Sequence, residues 1–396
     1  MKRTLLLVGA GHAHLPLIQE FGALRDEGYE CTLVSLSRVH YYSGMAPGFL
    51  GGLYDEDEIR FPVADMVERA GGTFIAGRAV RIDRRARRVL LADNTQLDYD
   101  VLSVSVGSFT APTISFVEQE SESGSHDDAI ALVPTKPIAE LCSLRSKLAE
   151  WKRTTSRVSI AVGGGGAAAV EIAANLACYL SEQWPESSVT LLPGQRLLPG
   201  FGGFARLVAR RRLEKLGVRV EEGARAISVA SDHIATDLGP VAADAIVAAT
   251  GVTPPALAAA SGLPIGPDGG LAVNDSLNVL GYKDIFGAGD SIWFTPRPLQ
   301  KVGVYAVRQS GVLRENVLER LRRGKRARMR RFRAQRNYVL ILNLGGGVAL
   351  FSRKILGIRF TVFGRWMWKL KDRIDRSFMG RYGSEREWAQ ERNESS

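Results

Sequence analysis

Three glycine-centred clusters are the residues of this chain whose types and spacing could do chemistry. The first, Gly9-Ala10-Gly11, follows the apolar run Thr4–Val8, and His14 stands where a third small residue would complete G-x-G-x-x-G. The second, Gly164-Gly165-Gly166, leads into Ala167-Ala168-Ala169-Val170-Glu171 and satisfies G-x-G-x-x-A at Ala169. A glycine turn between strand and helix aims helix N-terminal amides at an anion, which suits the pyrophosphate of a dinucleotide. Alone, the first cluster is equally readable as an ordinary turn, because His14 is not small. The third cluster is "DIFGAGDS", Asp284 to Ser291. It puts one carboxylate, Asp290, at a strand end where glycines such as Gly289 admit a ligand; the plainer reading is an aspartate capping the next helix.

The elements that must position these residues repeat. Arg3–Ile18 is echoed by Arg157–Ala177, each a β-rich apolar run, a glycine cluster and a helical pattern. Each is followed by a second apolar strand, Glu30–Leu36 and Ser188–Gly194. That predicts two β-α-β units, hence an α/β fold with two Rossmann-like dinucleotide-binding domains. Leu102–Ser108 and Ile246–Pro255 are strands ending in the glycine turns of Gly107 and Gly251, where the chain passes between domains. Gln300–Gly311 starts a helix past Asp290. The expected division is a discontinuous first domain (1–135 and 273–330), an inserted second domain (136–272), and a C-terminal hairpin with a basic amphipathic tail (331–396). The acidic, serine-rich stretch Phe116–Asp128 reads as a flexible surface excursion.

Composition is that of a globular protein, 45% hydrophobic and 24% charged with a mean hydropathy of −0.04. Cys31, Cys142 and Cys178 are scattered and odd in number, which argues against a disulfide scaffold and for a reducing compartment. Met1-Lys2-Arg3 runs straight into a strand-like segment without a signal-peptide pattern. The longest apolar candidate, Tyr338–Phe351, is cut by Asn343 and three glycines, against a transmembrane span. A cytoplasmic protein is expected. Net charge is +10, and Leu321–Gly380 holds 17 Lys/Arg against 2 Asp/Glu, so the positive field belongs to the C-terminal quarter. The five histidines show no metal-ligand spacing with the cysteines, and no metal is expected.

The order of first glycine turn, "YYSGMAPG" (Tyr41–Gly48), second glycine turn, A-T-G and G-A-G-D resembles the pyridine nucleotide–disulfide oxidoreductase superfamily. Within it the chain is similar to type II NADH dehydrogenases. It is more similar still to the FAD-dependent module fused upstream of selenide, water dikinase, through "GAGHAHL", "YSGMAPG", "PTKPI" (Pro134–Ile138) and "GRWMWKLKDRIDRSFMGRY" (Gly364–Tyr382). The resemblance implies FAD in the first domain, held through Gly9, Gly11, His14, Ser35, Ser43, Gly44, Met45, Gly107, Gly289, Asp290 and Gly303. It implies NAD(P)H as co-substrate in the second, through Gly164, Gly166, Ala169, Glu171 and Gly251. Lys136 and Glu171 are the catalytic candidates, one towards the flavin edge and one near the nicotinamide; a surface lysine is the alternative for Lys136.

Departures from the pattern matter. The redox cysteine pair of disulfide reductases is missing, since Tyr42-Ser43-Gly44-Met45 has no thiol and the three cysteines read as buried structural groups. Ser35 replaces the usual ribose carboxylate of the first unit. In the second, Pro193 stands at that position, which leaves NAD against NADP open. Arg196 could meet a 2′-phosphate or be a solvated arginine. His12 and His14 follow the turn at a helix N-terminus, which lowers a histidine pKa.

In the tail, Phe363, Met367, Leu370, Ile374 and Phe378 space as one apolar helix face, lined by Arg365, Lys369, Arg373 and Arg376. Such a helix suits an anionic membrane surface, as the type II resemblance also implies, or packs on its own domain or on a second subunit in a homodimer. The run Arg322–Arg333 is basic, but no nucleic-acid module accompanies it. The function expected is FAD-dependent electron transfer from NAD(P)H to a quinone or similar acceptor without a redox disulfide, peripheral on the cytoplasmic membrane face. Two alternatives stand: a soluble FAD oxidoreductase of a selenium, sulfur or other small substrate, and a flavin-bearing interaction module with little turnover.

Overall fold

In the computed structural model, residues 3–116, 130–230, 233–335, 339–355 and 358–394 are described. The acidic stretch lies, but for Phe116, outside them. Leu5, Leu6, Leu7 and Val8 are at most 2% exposed, a continuous apolar run of the kind that forms a strand covered on both faces. That strand, Thr4–Val8, is the centre of a five-stranded parallel sheet ordered Ile285–Gly287, Val101–Val104, Thr4–Val8, Glu30–Ser35, Thr73–Ala76. Truncating one of these leucines to alanine costs about 2–5 kcal/mol.

The echo seen in the sequence is a second parallel sheet of the same kind, ordered Ala131–Pro134, Ala245–Ala248, Ser159–Gly163, Ser188–Leu192, Val218–Val220. Its edge strand pairs Ala131 with Ala245, so this sheet begins five residues ahead of the expected boundary at 136. The helix after its glycine turn, Ala167–Gln183, packs Ala169, Val170, Ile172 and Ala173 against the sheet. The two chain crossings between the units meet, Phe109–Thr110 pairing antiparallel with Val252–Thr253.

The C-terminal region differs from a simple hairpin. It is a three-stranded antiparallel sheet, Leu340–Asn343, Ala349–Ile355 and Ile358–Gly364, followed by the helix Arg365–Met379. Phe363 therefore lies on a strand, not on the helix; its β-rich neighbours Ile358, Phe360, Thr361 and Val362 outweigh the four-residue spacing to Met367. The sheet docks on the second unit, where Asn175 Nδ2 donates to Asn343 O at 3.1 Å and Arg212 Nε to Leu344 O at 3.1 Å. The helix returns to the first unit, where Tyr54 donates to Asp372 at 2.7 Å.

The expected single apolar face of that helix is split in two. Met367 and Phe378 are buried, whereas Trp366, Leu370 and Ile374 are 58%, 43% and 51% exposed. The inner face is completed by the polar pair Lys371 and Asp375, and the apolar outer stripe sits among exposed Arg365, Lys369 and Arg373. In the basic run before the sheet, Arg322, Arg323, Arg330 and Arg331 pair with Glu27, Glu319, Glu315 and Asp275, which reduces its field. Among the described residues no helix is long and apolar enough to cross a membrane.

Candidate functional site

The C-terminal ends of both parallel sheets carry the glycine turns, the place where open α/β sheets bind ligands. Gly9 has φ +87° and Gly164 φ +130°, and a Cβ on either would lie 2.4 Å or less from a carbonyl of the neighbouring strand end, Ser105 or Ala249. Only glycine closes these turns. Gly11 is required for a different reason from the one the motif suggests. Its N–H donates to Ser105 O at 3.1 Å, and a Cβ there would meet Ser105 Oγ at 2.4 Å, so the close approach is to Ser105. Gly107, Gly166 and Gly251 border open space.

His14 holds the first turn from beneath. It is fully buried, its Nδ1 lies 2.6 Å from Gly9 O and its Nε2 2.8 Å from Ser103 Oγ. A carbonyl only accepts, so Nδ1 carries the proton and Nε2 takes one from Ser103. The ring is neutral, with its pKa pushed down to about 4 by burial, against a smaller opposing effect of Gly9. His12 is likewise lowered to about 4 and His40 well below its ordinary value, burial again the first cause. Desolvation, rather than a helix N-terminus, does this, since the next helix spans only Leu15–Ile18. His12 Nδ1 and His40 Nε2 share a hydrogen bond at 3.0 Å, and His12 Nε2 is a buried atom with no partner among the described residues.

Asp290 is buried beside the first turn, and Ser108 Oγ donates to it at 2.9 Å. Lys136 closes an ion pair on the same carboxylate oxygen and donates to Ser108 Oγ at 3.1 Å. Lys136 is thus no surface lysine; it neutralises Asp290 across the two units. Gly289 N–H donates to buried Gln309 at 2.7 Å, and Gly303 opens the helix Gly303–Arg323 with the Ser43 hydroxyl against it, 3.4 Å from where its Cβ would stand. Ser43, Gly44 and Met45 form the loop above, Met45 buried; Ser35 ends the second strand at the edge of the same region.

Glu171 lies one turn into the helix of the second unit but faces the C-terminal region. Its Oε1 accepts the Asn343 N–H at 2.7 Å. Burial raises its pKa to about 7, partly offset by Lys371. Lys371 Nζ donates to Gly44 O at 2.7 Å and to Asp375 at 2.6 Å, and Tyr42 donates to Asp375 at 3.0 Å. Burial raises Asp375 as well, against the pull of Lys371. Sequence reasoning missed Tyr42, Lys371 and Asp375. The signal was there, as a lysine and an aspartate four apart on the helix side that carries Met367 and Phe378.

The thiols are free, and burial makes them weak acids. Cys31 and Cys142 are buried with pKa values pushed up to about 12, and burial also raises Cys178, which is partly exposed rather than buried. Among the described residues no cluster of His, Cys, Asp and Glu could hold a metal.

The profile of the pyridine nucleotide-disulphide oxidoreductases matches residues 3–309. The chain belongs to that family. Two-thirds and more of its length is therefore that of an oxidoreductase, and its α/β architecture is the family's. The type II NADH:quinone oxidoreductase of Staphylococcus saprophyticus is 25% identical over 338 residues, covering 80% of this chain and 82% of that one. The sulfide:quinone oxidoreductase of Aquifex aeolicus superposes with a TM-score of 0.75 at 16% identity, covering 97% of this chain and 92% of the other. The water-forming NADH oxidase of Lactobacillus brevis, solved bound to NADH, gives a TM-score of 0.69 at 20% identity, covering 89% and 76%.

The residues present fit dinucleotides at both turns. The first region offers an aspartate, a serine and a lysine converging beside a glycine turn, an open Gly107, and one buried ring nitrogen without a partner among the described residues. The second offers an open Gly166 at the start of a seventeen-residue helix.

Proposed function

We propose that this oxidoreductase is FAD-dependent and passes electrons from NAD(P)H to a quinone or similar acceptor. The observation that carries the reading is the convergence of Asp290, Ser108 and Lys136 with the Gly9 turn and the Ser43–Met45 loop, a loop without a thiol. FAD, when bound, supplies the acceptance of a hydride and its release as electrons. Around it Gly9, Gly107 and Gly289 shape the groove, Asp290 and Ser108 offer groups for ligand hydroxyls, and Lys136 places positive charge between the units. Gly303 begins a helix whose free amides stabilise negative charge ahead of them. Gly164, Gly166 and Gly251 frame the nicotinamide nucleotide while Ala169 packs their helix on the sheet, and Glu171 with a pKa near 7 is suited to hold or yield a proton at neutral pH. Cys31, Cys142 and Cys178 are free and stand on separate elements, the strand Glu30–Ser35 and the helices Ala139–Trp151 and Ala167–Gln183, which supports electrons leaving without a disulfide step. The named activity of the staphylococcal relative supports a quinone as acceptor.

A membrane surface is the place we assign to the tail. Its helix exposes Trp366, Leu370 and Ile374 in a row beside Arg365, Lys369 and Arg373 while turning half-buried Lys371 and buried Asp375 inward. That polarity is inverted for water and right for an anionic lipid interface.

Anaerobic stopped-flow mixing with NADH or NADPH tests the reading. Bleaching of the flavin band at ~450 nm, followed by recovery on adding a soluble quinone, is expected. Absence of bleaching with both donors refutes it.

A further inference from the structure

The second strand of the second unit, Ser188–Leu192, ends without an acidic residue at Pro193-Gly194. The loop and helix beyond it are basic. A cavity of about 420 Å³ is lined by Gln195, Arg196, Leu197, Arg206, Leu207, Arg210 and Glu222. It is tied to the glycine turn, since Leu198 N–H donates to Gly165 O at 2.7 Å, which fixes the Arg196 loop beside that turn. A dinucleotide whose pyrophosphate sits on the N-terminus of Ala167–Gln183 lays its adenosine ribose over the end of this strand. An aspartate or glutamate there would accept from the ribose hydroxyls and repel a 2′-phosphate; arginines do the reverse.

The one carboxylate in the cavity is already engaged. Glu222 Oε1 accepts the Leu197 N–H at 2.8 Å, and Oε2 accepts from Arg210 at 2.5 Å. The Leu197 amide and Arg210 hold its pKa below the ordinary carboxylate value. Arg210 also reaches Glu214 at 3.5 Å. Arg196 and Arg206 have no ion-pair partner among the described residues, Arg196 being exposed and Arg206 half-buried. Three arginines against one lining glutamate leave a charge of about +2. A phosphate monoester carries about −1.5 to −2 at neutral pH and offers three acceptor oxygens to planar guanidinium forks.

We infer that this cavity is a 2′-phosphate site, and that the nucleotide of the second unit is NADP(H) in preference to NAD(H). Arg196 and Arg206 grip the phosphate, and Arg210 keeps Glu222 from opposing it. The inference rests on the proposal that the second turn holds a nicotinamide nucleotide, and it names which one.

The test compares kcat/KM for NADPH and NADH with the holoprotein, and the competition of 2′-AMP and 5′-AMP against the nucleotide. NADPH is expected to be favoured by about tenfold or more, and 2′-AMP to bind tighter than 5′-AMP by a similar factor. The double variant Arg196→Gln with Arg206→Gln, which leaves the Arg210–Glu222 pair intact, lowers the NADPH:NADH ratio by about 10- to 100-fold, the loss of one or two charge-assisted hydrogen bonds. A preference for NADH, or a ratio untouched by the double variant, overturns the inference while electron transfer from NADH stands. If neither nucleotide bleaches the flavin but 2′-AMP binds in an arginine-dependent way, the catalytic proposal falls and the phosphate site survives. Binding of 2′-AMP no tighter than 5′-AMP overturns the site whatever the kinetics.

Discussion

Replacing His14 by glycine would complete the ideal G-x-G-x-x-G, and the structure says that this improvement of the motif damages the protein. The imidazole bridges Gly9 O and Ser103 Oγ at 2.6 and 2.8 Å in a fully buried position. Its removal leaves a carbonyl and a hydroxyl unpaired and opens a cavity of about the volume of the ring. An unsatisfied buried group costs about 1–3 kcal/mol, and large-to-small core truncations cost about 2–5 kcal/mol. Backbone relaxation at Gly9 absorbs part of this, so a loss of about 3–5 kcal/mol is expected. The assay is urea unfolding followed by tryptophan fluorescence, together with the flavin:protein ratio after gel filtration. The variant should unfold at a lower midpoint with an unchanged slope and lose flavin, because the first turn loses its support. A glycine variant with the wild-type midpoint and full flavin refutes the role given to His14. His14→Gln, which can still donate upward to Gly9 O, should recover part of the loss.

Glu171 has a folded pKa of about 7 against about 4.5 for the unfolded chain. The folded state therefore holds the extra proton between those values, and the group's contribution is full below pH 4.5 and lost as pH rises through 7. Glu171→Gln should be more stable than wild type by about 2 kcal/mol at pH 8 and equal to it at pH 4.5, the full shift being discounted for partial exposure; a pH-independent difference in urea midpoints contradicts this. His12 and His14 have folded values of about 4 against 6.5. Their contribution is complete above pH 6.5 and is lost as pH falls to 4, by at most about 3 kcal/mol each, so stability should fall with pH within that window, and fall less steeply in a His14→Gln protein. Leu370→Glu with Ile374→Glu, both at exposed sites, should leave folding intact and weaken flotation with anionic vesicles by about a hundredfold, each lost side chain being worth about 1.5–3 kcal/mol; unchanged flotation removes the tail from the membrane. A thiol reagent at pH 8 should modify Cys178 before Cys31 and Cys142, whose thiolate fractions there are on the order of one in ten thousand.

Apolar runs before glycine turns made both parallel sheets readable in the sequence, because a strand covered on two faces has no alternation to lose. The place of Asp290, just past a strand end beside the first turn, was readable because a carboxylate among glycines is unusual chemistry. The tail was readable only in part. Spacing by three and four assigned Met367, Leu370, Ile374 and Phe378 to one face, yet two of them pack inward and two point out. Periodicity measures which residues share a side, and it cannot tell which side the protein covers when both carry apolar groups. The third strand, Ile358–Gly364, was hidden because its spacing to Met367 imitated a helix. His14 looked like damage to a motif, since a hydrogen bond to Ser103, eighty-nine positions away, has no local signature. Glu171, Lys371 and Asp375 meet for the same reason: their neighbourhood is made by the return of the C-terminal helix.

The first parallel sheet places the strand Ile285–Gly287 beside Val101–Val104. On the ribosome, where chains grow at about 5–20 residues per second, about 180 residues separate the two, an interval on the order of ten to forty seconds. Through that time the nascent chain carries an apolar strand with one edge unpaired, the kind of edge that recruits other chains. The second sheet, contiguous from Ala131 to Ala248, can close meanwhile. The last strand to arrive also delivers Asp290, so the N-terminal unit acquires its sheet edge and the carboxylate that pairs with Lys136 in one event. A chain interrupted before residue 285 has neither.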